Sequence, residues 1–69
     1  MANGLLEVAE VGKIVMFRDG GQDMPAIITY VWTKKVVNVM AFDELAGAVL
    51  HTSVEFDKTP GEKRWRWLP

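Results

Sequence analysis

Turn-forming residues punctuate this chain at short intervals, and that spacing constrains its fold more than any other feature. Gly12, Asp19-Gly20-Gly21, Thr33-Lys34-Lys35, residues 43–47 and residues 57–61 divide it into runs rich in Val, Ile, Thr and aromatic side chains. Such residues suit a pleated, half-buried surface. Several short strands at this spacing suggest a sandwich or small barrel, not helices alternating with strands.

The reading places strands at residues 13–18, 26–32, 36–42, 49–56 and 65–68. Pro25 is expected to open the second strand, because proline cannot donate to a ladder. The Gly20-Gly21 segment reads as a long flexible loop and the Thr33 connection as a tight one. One long loop, then tight hairpins, then a short closing strand is the pattern of an all-β, five-stranded SH3-like barrel. The barrel is expected over residues 12–69, with residues 1–11 as a short N-terminal extension, either helix or added strand. An OB-fold fits less well, since no room remains for a helix before the last strand.

Alternation inside the strands carries a second message. In the fourth, Thr52, Val54 and Phe56 should share one face and Ser53 and Glu55 the other. The first three strands are apolar on both sides: Ile14 and Met16 oppose Val15 and Phe17, and Asn38 is the one polar side chain in residues 36–42. A small barrel has one interior, so the outer sides need another cover. The segment Leu5-Leu6-Glu7-Val8-Ala9-Glu10-Val11 could supply it, and so could a second copy of the chain.

At 69 residues without cysteine, the chain has no disulfide or zinc–thiolate staple. A dense apolar core and oligomerisation are the devices left, and 49% hydrophobic residues with three Trp and three Phe supply the material. The lack of cysteine fits a reducing compartment. No signal peptide is evident, and no apolar run approaches the roughly 18 residues of a membrane span. A formal net charge of −1 provides no general attraction for nucleic acid or anionic lipid. The expected setting is the cytoplasm, away from membrane.

Catalysis has little to work with. His51 is the only histidine, and Ser53 stands two positions away on what should be the same strand face. Asp43 and Glu44 lack recognisable metal-ligand spacing. Asp19-Gly20-Gly21-Gln22-Asp23 has no strand–loop–helix context for cradling phosphate. The expectation is no enzyme, no metal and no cofactor.

The C-terminal run Lys63-Arg64-Trp65-Arg66-Trp67-Leu68-Pro69 is the most distinctive segment. In a strand, Trp65 and Trp67 point one way and Arg64 and Arg66 the other. Both indoles are expected to close the core, with the arginines in solvent. Arg64, Arg66, Lys63, Lys34 and Lys35 could alternatively form a basic stripe beside aromatics, suited to a phosphate or a stacked base. Tyr30 and Trp32 join them as candidate binding residues.

In order along the chain, these motifs resemble a family of small tailed-phage and prophage proteins of unassigned function. The resemblance covers about residues 11–69. It rests on Gly12 with Ile14-Val15-Met16-Phe17, Pro25-Ala26-Ile27-Ile28, Val37-Asn38-Val39 with Phe42, Ser53-Val54, and Gly61 followed by Trp65-Arg66-Trp67-Leu68-Pro69. The family pattern ends Trp-His-Trp-Pro; here Arg66 replaces the histidine and Leu68 is added. The resemblance implies phage origin, an SH3-like fold and action in the infected host cell or the virion. Three functional readings stand: an accessory protein binding a host or phage macromolecule, a protein foremost, as a homo-oligomer; a sponge sequestering a nucleotide signal of host immunity; and a nucleic-acid-binding module.

Overall fold

A computed structural model describes residues 8–59 and 61–69. Five strands follow in order: β1 (Ile14–Asp19), β2 (Gln22–Val31), β3 (Val36–Asp43), β4 (Gly47–Phe56) and β5 (Arg64–Arg66). They close into an SH3-like barrel in the order β1-β2-β3-β4-β5, and the described residues contain no helix. β5 completes the ring by pairing antiparallel with β1 and parallel with β4. The expected extension lies mostly outside the described residues. Its described part, from Val8 onward, is neither helix nor strand, with Ala9 buried.

The Gly20-Gly21 segment corrects the sequence reading. It is a two-residue hairpin turn, because Asp19 pairs directly with Gln22. Both glycines have positive φ, 63° and 77°, as a type I′ turn requires and as residues with a Cβ resist. The Thr33 connection is the longer one, running from Trp32 to Lys35, with the Thr33 hydroxyl accepting the backbone N–H groups of Lys35 and Val36. The start of β2 moves forward accordingly, so Pro25 stands inside the strand, opposite Met16. Its missing donor falls on the β3 side, where pairing begins only at Ala26.

Inward-facing positions form the core: Val15 and Phe17, then Met24, Ala26 and Ile28, then Val37, Val39 and Ala41, then Val54 and Trp65. Trp65 lies on β5 opposite both Phe17 of β1 and Phe56 of β4, so one indole fills the seam that β5 closes. Its Nε1–H donates to the Lys35 carbonyl at 3.0 Å, which satisfies the one polar atom this side chain carries inside. Trp67 packs against this core from its edge. It is half-buried, with its ring edge-on to Trp65 at 5.0 Å and the Lys13 ammonium 5.4 Å above it.

β4 also departs from simple alternation. Val37 pairs with Val54 but Val39 pairs with His51, so Thr52 and Ser53 together oppose Asn38. This bulge, with Ser53 at φ 54°, reverses the phase of the strand. Val54 and Phe56 share the core-facing side as expected, while Thr52 is turned out of it and exposed. β2 carries a matching irregularity between Ile28 and Tyr30. Two bulges flanking Asn38 bend the sheet tightly enough for a ring this small.

Candidate protein-binding surface

The basic stripe expected at the C-terminus is already occupied by the protein's own carboxylates. Arg66 Nη1 and Nη2 donate to Asp23 at 3.3 and 3.0 Å, and Arg18 Nε and Nη2 donate to the same carboxylate at 2.8 and 3.1 Å. The register explains it, since Arg18 faces Asp23 across β1–β2 and Arg66 faces Met16 across β1–β5. Hydrogen bonds from Arg18, then from Arg66, hold the Asp23 carboxyl well below the usual range. The bond to Asp23 likewise raises Arg18. Arg66 therefore does not stand free in solvent. Arg64 lies 3.9 Å from Glu55, and the Lys63 ammonium 3.2 Å from Asp19.

Glu62 is also engaged, accepting the backbone N–H groups of Gly20 and, at 3.0 Å, Gly21. Lys63 N–H adds a bond to the Arg18 carbonyl at 2.7 Å. The segment before β5 is thus a clasp on the first hairpin. Lys34 and Lys35 line a 220 Å³ cleft together with Val8, Ala9, Phe56, Trp65 and Trp67, and none of the arginines is among its lining residues. The candidate residues therefore do not converge on one basic site.

Tyr30 and Trp32 behave differently. Both point outward, 50% and 57% exposed, with rings in an edge-on arrangement at 4.7 Å. The Trp32 indole N–H donates to Asn38 Oδ1 at 2.9 Å, and the same oxygen accepts Ser53 N–H at 2.9 Å. Since both neighbours are donors, the amide must present its oxygen to them. The bulge that bends β4 is therefore tied to the atom that fixes the exposed indole.

This aromatic pair adjoins an apolar outer face. Ile14 pairs with Ile27, Ile27 with Met40 and Met40 with Leu50, making one row across four strands. Ile14 and Leu50 are exposed, as is Phe42 two residues beyond Met40. No charged residue occupies the outward positions between the Asp23 cluster and Tyr30 on β1 and β2. The apolar pattern on both sides of the strands signalled this face; Asn38 as its organiser gave no sequence signal beyond being polar.

The His51–Ser53 pair is separated by the bulge. His51 turns toward the interior, its ring 4.4 Å from Phe17, while Ser53 gives its N–H to Asn38. Among the described residues no group of three or more His, Asp or Glu side chains is placed to hold a metal ion, and no helix is long and apolar enough to cross a membrane. Comparison of the chain with protein families, curated proteins and solved structures finds no match in any of the three.

Proposed function

We propose that this chain is a non-catalytic accessory protein of a tailed phage or prophage, which binds a protein partner of host or phage in the infected cell and acts as a homo-oligomer. The observation that carries the partner-binding part is the Tyr30–Trp32 pair, exposed and edge-on, with its indole pinned by Asn38. Tyr and Trp dominate the residues that anchor protein interfaces, and pre-ordering them lowers the entropy lost on binding. The phage setting rests on the motif resemblance across residues 11–69.

Readings that require phosphate recognition gain less support. Arg66, Arg64 and Lys63 each face a carboxylate, so an incoming phosphate would compete with a partner already in place. The separation of His51 from Ser53 favours a non-catalytic role.

Retention of a partner from infected-cell lysate by three immobilised forms tests the reading. Wild type and Arg64→Ser/Arg66→Ser should retain the same protein, and Tyr30→Ser/Trp32→Ser should lose it while remaining folded. Equal retention by all three would move the site away from the aromatic pair.

A further inference from the structure

The barrel closes over only part of β4. β5 pairs with β4 at Glu55 and Phe56 alone, and with β1 at Met16 and Phe17 alone. Residues 47–52 therefore pair with β3 on one side and with no described residue on the other. Six residues of strand present about 20 Å of unpaired backbone.

Proteins usually blunt such an edge with charge, proline or a bulge. The stretch Gly47-Ala48-Val49-Leu50-His51-Thr52 has no charged residue and no proline, and the bulge at Ser53 comes only at its end. Its outer flank is apolar, because Leu50 ends the Ile14–Ile27–Met40 row and is 54% exposed. At the turn before it, Leu45 is 96% exposed, a large apolar side chain with no described residue over it.

We infer that this edge pairs with the same edge of a second copy, through an antiparallel β4–β4′ ladder about a two-fold axis near Leu50. This deepens the homo-oligomer part of the proposed function and rests on it; the aromatic pair lies on β2 and the connection after it. Antiparallel pairing of a strand with itself is a closed two-fold arrangement. It brings no like charges together over residues 47–52 and continues the apolar row from one barrel into the next.

A ribbon about 20 Å long and about 10 Å deep buries roughly 200 Å² per copy, near a quarter of a standard interface. The dimer is accordingly reversible and concentration-dependent. A second copy also suits a chain whose described residues place only eleven in the buried core, three of them alanine.

Sedimentation equilibrium and amide hydrogen exchange on the full chain, from about 10 µM to about 1 mM, test this. Wild type should pass from monomer to dimer, with exchange at residues 48–52 slowing as concentration rises. Leu50→Lys, which sets a charge near its own twin, should weaken association more than about tenfold without lowering the melting temperature of the dilute monomer. Tyr30→Ser/Trp32→Ser should dimerise like wild type, so loss of partner binding and loss of self-association remain separate results. A monomer at every concentration would overturn the inference. So would a dimer indifferent to Leu50→Lys, or slowed exchange at residues 48–52 that is independent of concentration, which would assign the edge to the chain's own segment.

Discussion

Asn38 Oδ1 accepts the backbone N–H of Ser53 at 2.9 Å, and so a side chain of β3 holds the bulge that turns β4. The same oxygen takes the Trp32 indole N–H. Asn38→Ala should leave both donors without this partner and cost about 1–2 kcal/mol. Asn38→Asp, which keeps an acceptor, should recover most of that loss. Chemical denaturation of the three proteins measures it, with an Asn38→Ala stability equal to wild type as the contrary result.

The two C-terminal tryptophans should differ sharply. Trp65 is 1% exposed and packs edge-on to Phe56 at 4.9 Å. Trp65→Ala should cost about 3–5 kcal/mol, enough to unfold most of a domain near the low end of ordinary stability. Trp67 is half-buried, so Trp67→Ala should cost about 1–2 kcal/mol and leave the barrel folded. Thermal melts by circular dichroism compare them, and equal losses would contradict the assignment of Trp65 alone to the core.

Acid should weaken the Asp23 cluster. The folded carboxyl titrates below its ordinary value, held down by Arg18 and then Arg66. Between the two values the unfolded chain binds more protons, so this contribution is present above the unfolded value of about 4 and is lost as pH falls through the folded one. Melting temperature should fall below about pH 4 in wild type. Asp23→Asn should be less stable at neutral pH, with a shallower acid decline; Asp43, lowered by the N–H groups of Ala46 and Leu45, adds to the decline that remains. Parallel pH profiles for the two proteins would rule this cluster out as a source of acid sensitivity.

Nucleotides should not stabilise the protein. With Arg64, Arg66 and Lys63 facing carboxylates, a thermal-shift screen against mono-, di- and cyclic nucleotides and short oligonucleotides should show no rise in melting temperature. A saturable rise with any of them, lost in Arg64→Ser/Arg66→Ser, would restore a phosphate reading.

The fold was legible because turn punctuation and β-favouring runs agree along the whole chain. All five strands fall within a few residues of their expected places, apart from the start of β2. That start was hidden because Gln22 and Asp23 look like loop residues, yet a two-residue turn at Gly20-Gly21 makes them pair at once with Asp19 and Arg18. The phase of β4 was hidden because one inserted residue at Ser53 reverses a period of two. The site was legible in part: aromatic content singled out Tyr30 and Trp32, but their outward orientation was hidden, because the register shift between Ile28 and Tyr30 turns them away from the face that Ala26 and Ile28 share. Arg66 read as free because its partner, Asp23, lies far away in sequence and meets it only once the barrel closes, and Arg64 because Glu55 comes beside it only when β5 pairs with β4.

The central claim is that the Tyr30–Trp32 pair receives a protein partner. A photoreactive aromatic residue in place of Trp32, irradiated in phage-infected cells, tests it most directly, with the same residue in place of Arg64 as the control. The account predicts one discrete protein adduct from position 32, weakened by Tyr30→Ser and absent from position 64. No adduct at position 32, or the same adduct from both positions, would contradict it.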